Sequence, residues 1–163
     1  MNTSPTSSYK IRFNDCDLFG HLNNARYIDY FMNAREDHLK EAYDLDLTSY
    51  YQTGIAWVVS HHEIAYVRSA IYNEIVTIES TLLEATSDSL WVEMVMTDKG
   101  QNHIKSIMRT TFTPVNSKTG RKELHPADFF EWAKTIENTT FQQFTLKERI
   151  KELIASLKKE PSI

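Results

Sequence analysis

FNDCDLFGHLNNARYIDYFMNAR, from Phe13 to Arg35, is the stretch whose reading decides the fold. Its first half sets two aspartates around a cysteine, then Gly20, His21 and two asparagines. Its second half has helical spacing. Ile28, Phe31, Met32, Arg35 and Leu39 fall on one side, and Ala25, Ala34 and Ala42 add good helix formers. The spacing predicts a helix from about Asn24 to Tyr43. Upstream, Tyr9–Asn14 alternates as a short strand, and the Ser- and Thr-rich Met1–Ser8 is expected to be a frayed, disordered segment. Downstream, Asp44–Thr53 reads as connection, with Gly54 as its breaker.

The rest of the chain turns to strands. Ile55–Val67 is rich in Val, Ile, Trp and Tyr. Asn73–Glu84, Ser89–Thr97 and His103–Pro114 alternate, with Val76, Ile78 and Leu82, then Leu90, Val92, Met94 and Met96, then Ile104, Met108 and Phe112 in register. Asp98–Gln101 reads as a turn in which Gly100 takes positive φ, and Asn116–Gly120 as another. One-sided alternation in successive strands predicts an antiparallel sheet with one buried face, covered by the single long helix. The order β-α-β-β-β-β gives an α+β layer fold. Asp128–Ile136 reads as a short helix. Thr145 and Glu148 form a capping-box pattern ahead of a stripe of Leu146, Ile150, Leu153, Ile154 and Leu157. That stripe must lie on its own domain or on another subunit.

Composition removes several classes of function. At 163 residues and 41% hydrophobic content the chain is expected to form one domain with a real core. A formal charge of −4 gives no case for nucleic acid as a partner. No signal peptide is read at Met1–Ser8, and no apolar run approaches the ~18 residues that cross a bilayer, so no membrane partner is expected. One cysteine excludes an internal disulfide and a paired-cysteine zinc site, which fits a reducing, cytoplasmic setting. Four glycines leave no phosphate-cradling glycine loop.

The opening stretch carries the chemistry. A helix start leaves about four N–H groups without intrahelical partners. Asn23 or Asn24 can cap one, and Arg26 and Tyr27 stand where a capping box would need Glu or Gln. With no carboxylate expected in the first turn, the remaining amides and the macrodipole stay open to a ligand oxygen, where an oxyanion would be stabilised. Asp17 lies a short loop upstream, and Gly20 lets the backbone turn sharply between them. A carboxylate there can attack an acyl carbon or take a proton from water, and a thioester suits either route. Each residue also has a plain reading. Asp15 and Asp17 serve as ordinary Asx-turn residues, His21 hydrogen-bonds the loop, and Cys16, between two acids, is a packing residue rather than a nucleophile. Tyr27, Tyr30 and Phe31 read as core or interface aromatics. Asp15, Asp17 and His21 lack the further ligands a metal would need, and His61 and His62 point to opposite faces of a strand, so no metal is expected.

Arg12, Phe13, Asp15, Asp17, Gly20, His21, Asn23, Asn24 and Tyr27, running on through Phe31, Ala34 and Arg35, resemble the opening signature of hotdog-fold acyl-CoA thioesterases, most closely the 4-hydroxybenzoyl-CoA thioesterase-like group. Tyr66, Arg68, Ala70, Tyr72 and Glu74 are similar to the family's segment after its second strand, and Thr119, Gly120, Arg121 and Pro126 to its late turn. The resemblance covers residues 9–126 and leaves 127–163 as a helical extension. It implies an antiparallel sheet wrapped around one long helix, assembled as a homodimer or homotetramer. It also implies hydrolysis of an acyl-CoA to free acid and CoA without a cofactor. Asp17 would be the nucleophile or general base, and the Asn24 amide the oxyanion donor. Asp15, Gly20, His21 and Asn23 would line the substrate, with Arg68 on the CoA phosphates. Lys105, Arg109, Arg121 and Lys122 are further candidates for those phosphates, though such residues are more often just solvated charges. Ser69 and Asn73 depart from the proline and glycine common in the family and bear on the turn beside Arg68. Acyl carrier protein thioesters, or acyl-CoA binding without catalysis, are the alternatives.

Overall fold

The computed structural model describes residues 2–158. Five strands, β1 (Thr6–Lys10), β2 (Ile55–Tyr66), β3 (Ile75–Thr86), β4 (Ser89–Asp98) and β5 (Ile104–Asn116), form one sheet in the order β1-β3-β4-β5-β2. Every pairing in it is antiparallel. Helix α1 (Tyr27–Tyr43) lies on the inner face, where Phe31 and Ala34 share a core with Val76, Ile78, Met94 and Met108. This is the α+β hotdog architecture, with β1 and β2 as its edges.

The buried face of α1 is Tyr27, Tyr30, Phe31, Ala34, Arg35 and His38. The expected stripe through Ile28, Met32 and Leu39 is only half-buried. The helix is rotated because the sheet takes the face carrying Ala34 and His38, while Met32 and Leu39 look sideways toward a later helix. That helix is α3 (Ala127–Ile136), which adds Phe129, Ala133 and Ile136 to the main core. A short α2 (Leu47–Gln52) replaces part of the expected connection, its first turn capped by the Asp46 carboxylate accepting from the Thr48 N–H at 2.9 Å.

The N-terminal segment also departs from expectation. β1 begins at Thr6, where Thr6 pairs with Glu79, and ends at Lys10 rather than Asn14. Its polar side chains find partners. Ser4 Oγ meets Thr81 Oγ1 at 2.8 Å, and Ser7 Oγ lies 2.8 Å from both Tyr9 Oη and His38 Nε2. In the β4–β5 turn the left-handed position is Gln101, with φ of 56°, and not Gly100.

The middle strands are buried on both faces, not one. The outer face is covered by α4 (Leu146–Lys158), whose Leu146, Ile150, Leu153, Ile154 and Leu157 pack on Val95, Ile104 and Ile107. Its capping box forms as the sequence implies. The Thr145 N–H donates to Glu148 Oε2 at 3.0 Å, and the Glu148 N–H to Thr145 Oγ1 at 3.1 Å. Two cations read as solvated are instead buried here. Arg109 faces Glu93 directly across the strand pair, Nη2 to Oε2 at 2.9 Å, and Arg149 of α4 reaches Oε1 of the same carboxylate at 2.8 Å. Lys105 pairs with Glu74 at 3.0 Å. Burial of these cations is tolerable only because each meets a carboxylate.

Candidate active site

The segment between β1 and α1 folds as a small hairpin. Cys16 and Leu22 bridge, the Asp17 N–H donates to the His21 carbonyl at 2.8 Å, and the Asn23 N–H donates to the Asp15 carbonyl at 2.9 Å. Gly20 sits at the tip with φ of 75°, a conformation in which a side chain would be strained. The hairpin docks on the segment after β2. The Leu22 N–H donates to the Ala70 carbonyl, and the Tyr72 N–H to the Gly20 carbonyl, both at 2.8 Å. Three tyrosines, Tyr27 and Tyr30 read from sequence as core or interface aromatics and Tyr66 as part of the segment after the second strand, fix this arrangement through their hydroxyls. Tyr30 Oη donates to Asp15 Oδ2 at 2.7 Å and accepts from the Arg12 N–H at 3.0 Å. Tyr27 Oη accepts from the Ala70 N–H at 2.9 Å. Tyr66, at the end of β2, donates to the Asn24 carbonyl at 2.7 Å and ties the edge strand to the helix tip. Burial, then the bond to Asp15, raises the Tyr30 hydroxyl to about 12, so it stays a donor.

Asp17 is exposed. Its Oδ1 accepts from the Phe19 N–H at 2.9 Å and the His21 N–H at 3.0 Å, an Asx-type anchoring. Oδ2 makes no bond to the described residues. One oxygen therefore holds the carboxylate in place and the other is available for chemistry. Cys16 between the two acids has its thiol raised by burial, then by Asp15 and Asp17, and its Sγ lies 3.4 Å from the Arg12 carbonyl. It is a packing residue.

The helix start differs in detail from its sequence reading. Asn24–Arg26 form a 3-10 turn ahead of α1, and neither Asn23 nor Arg26 caps through its side chain. The Arg26 N–H goes to the Asn23 carbonyl at 2.8 Å. The Asn24 and Ala25 N–H groups have no partner among the described residues. An acid does stand in the first turn of α1, contrary to expectation. It is Asp29, and its carboxylate is drawn to Arg26 at 3.2 Å.

The remaining predicted residues lie around this loop. Asp15 is committed to Tyr30 and the hairpin. His21 is exposed, with its ring 6.5 Å from that of Phe19, and Asn23 leads into the 3-10 turn. Arg68 is exposed just beyond β2, with only its backbone N–H held, by the Lys105 carbonyl at 3.1 Å. Asn73, in the turn beside Arg68, takes φ of 69°, a left-handed conformation that asparagine tolerates better than most residues. Leu18 is 101% exposed, and Phe13, Phe19, Tyr66, Val67, Ile71 and Tyr72, from the segment before α1 and from the end of β2 onward, are exposed apolar side chains as well. Among the described residues no three His, Cys, Asp or Glu side chains are placed to hold a metal ion, and no helix is long and apolar enough to cross a membrane.

A family model described as the thioesterase-like superfamily matches residues 11–133. The long-chain acyl-CoA thioesterase FadM of Escherichia coli strain K12 is 29% identical over 110 residues, covering 68% of this chain and 82% of FadM. The structure of YbaW from Escherichia coli, described as a probable thioesterase, matches with a TM-score of 0.69 at 25% identity, covering 82% of this chain and 98% of that one. The DHNA-CoA thioesterase of Staphylococcus aureus shares the fold, with a TM-score of 0.74 at 14% identity over 81% of this chain and 89% of its own.

Proposed function

This chain belongs to the thioesterase-like superfamily, and from that premise we propose that it hydrolyses acyl-CoA thioesters to the free acid and CoA, with Asp17 and the Asn24 amide as its reacting groups. The observation that carries this reading is the half-used carboxylate of Asp17, anchored through Oδ1 only, in the hairpin that leads into a helix tip with open amides. The thioester carbonyl oxygen would accept from the Asn24 N–H, where the helix dipole favours developing negative charge. Asp17 either takes a proton from water as that water attacks, or attacks the acyl carbon itself to give an anhydride that water then opens. In both routes the C–S bond breaks and CoA leaves as a thiolate that is then protonated. Residues 15, 20, 21 and 23 shape the hairpin wall, and Arg68 is the cation offered to the CoA phosphates. The chemistry calls for no cofactor.

Two copies would pair through β2, a 12-residue edge strand whose unpaired side is a template for another strand. Tyr66 and Val67, with the Leu18–Phe19 hairpin tip, would lie at that seam, so a homodimer would cover the apolar rim of the site and shield the thioester from bulk water. We place this activity in the cytoplasm, where acyl-CoA and a reduced Cys16 are at home.

The test is CoA release, read with a thiol reagent, from a panel running from short and aromatic to long acyl chains, with acyl carrier protein donors in parallel. The panel gives weight to long chains because FadM is a long-chain acyl-CoA thioesterase. Release from at least one acyl-CoA above the uncatalysed rate is expected. Saturable acyl-CoA binding with no release across the panel would replace this reading with a binding module, and release from carrier protein donors alone would move the substrate class.

A further inference from the structure

An apolar cavity of about 190 Å³ lies between α1, the inner face of the sheet and α3, walled by Met32, Trp57, Leu90, Phe112, Phe129 and Trp132. None of residues 13–24 lines it. It sits at the Trp57 end of β2, while the Asp17 hairpin docks beyond the Tyr66 end, nine residues and therefore roughly 30 Å along the strand. Arg35 also lines this cavity, and it is 7% exposed. Its Nη1 donates to Ser80 Oγ at 2.9 Å, an oxygen shared with His38 Nδ1 at 2.6 Å, and the Tyr43 hydroxyl is its other polar neighbour. It forms no ion pair among the described residues, in contrast to Arg109 and Arg149 across the sheet. Glu36, the carboxylate on the cavity lining, is exposed at the mouth and does not pair with it. Every fully buried polar side-chain atom among the described residues has a partner, so no guanidinium nitrogen of Arg35 is both sealed from solvent and unbonded, and Arg35 is the one cation on the cavity lining.

A buried charge without a counter-charge is costly, and a guanidinium presents a fork that matches a carboxylate. Apart from Arg35, Asn33 and Glu36, the lining is hydrocarbon and aromatic. We infer that the cavity between α1 and α3 is a binding site for a monocarboxylate with an apolar body, its anionic head on Arg35 and its chain among Met32, Trp57 and Phe129. A cavity of about 150 Å³ accepts benzene, so this one suits a body of about six to eight carbons. Octanoate is the representative ligand. An acid of this class is what the reaction proposed above releases, yet the site stands on the cavity and Arg35 alone, separate from Asp17.

The experiment is an octanoate titration of the full chain, followed by calorimetry and by tryptophan fluorescence, since Trp57 and Trp132 line the cavity and Trp91 does not. Octanol is the neutral isostere. Octanoate is expected to saturate one site per chain, with octanol at least about tenfold weaker, the factor that one charge-assisted hydrogen-bonded pair supplies. Arg35→Met should weaken octanoate by a similar factor and leave octanol unchanged. Asp17→Asn should bind octanoate as the parent does, which separates this site from the reaction site and holds whether or not the chain hydrolyses thioesters. No saturable octanoate binding, equal affinity for octanol, or loss of binding in Asp17→Asn would overturn the inference. If Arg35→Met does not fold, the octanoate–octanol comparison on the parent chain decides alone.

Discussion

Glu93 is the residue on which the outer layer depends, and Glu93→Gln tests that dependence. Its carboxylate is 2% exposed and lies between two guanidiniums. Oε2 accepts from Arg109 Nε at 3.0 Å and Nη2 at 2.9 Å, and Oε1 accepts from Arg149 Nε at 2.8 Å. Arg149 also pairs with Glu152, and its guanidinium stacks on Phe141, so the cluster pins α4 and the segment before it to the sheet. Glutamine keeps the shape and one acceptor but removes the charge, and its amide N–H₂ then faces a guanidinium. Breaking a buried pair by removing one partner costs about 3–5 kcal/mol. A chain of this length has an unfolding entropy of about 340 cal/mol/K, so that cost lowers Tm by roughly 9–15 °C. Thermal melts followed by circular dichroism read it directly. The loss should persist at high salt, because charges this deeply buried are screened little. A shift below about 3 °C, or one that vanishes in salt, would refute the buried-cluster account and with it the docking of α4 through Glu93.

Three further outcomes follow from local structure. Burial, then Arg35, lowers His38 to about 4, and it is held neutral between Ser7 and Ser80. The unfolded chain therefore takes up a proton first as pH falls below about 6.5. Stability should decline from there to about pH 4 and this contribution should level off below it, a slope that His38→Gln flattens in denaturant melts at stepped pH. Asn73→Gly should be nearly neutral and Asn73→Ala destabilising by about 1–2 kcal/mol, because the residue sits at φ of 69°. Thr145→Ala should cost about 0.5–2 kcal/mol by removing the N-terminal cap of α4, seen as earlier hydrogen exchange in that helix.

Several elements were legible because their periodicity is strong. The stripe from Leu146 to Leu157 and the Thr145–Glu148 pair specify α4, and the alternation of Val92, Met94 and Met96 specifies β4. What escaped depended on distant partners. Arg109 and Lys105 read as solvated because Glu93 and Glu74 lie far off in sequence and meet them only across the folded sheet. β1 starts earlier than the alternation from Tyr9 indicates, because Thr6 and Ser7 carry no apolar pattern and Ser7 is held by a distant partner, His38. The buried face of α1 is hard to see in the sequence because Ala34 and His38 carry little hydrophobic signal, although both are almost fully buried. α2 is one and a half turns long, too short to show a period. At the candidate site the acids, glycine and asparagines mark a loop followed by a helix start in the sequence, and the structure has a hairpin and the start of α1 there. The hydroxyls of Tyr27, Tyr30 and Tyr66, which fix the hairpin to the helix, carried no signal of that role in the sequence.

The most direct test of the account is steady-state turnover of Asp17→Asn on the best acyl-CoA from the panel. Asparagine retains the Oδ1 acceptor that the Phe19 and His21 N–H groups use, so the hairpin and Tm should be unchanged. With the loop intact and the carboxylate gone, kcat should fall at least ~10²-fold with KM little altered. Undiminished kcat in a folded Asp17→Asn chain would contradict the assignment of the reaction to this carboxylate.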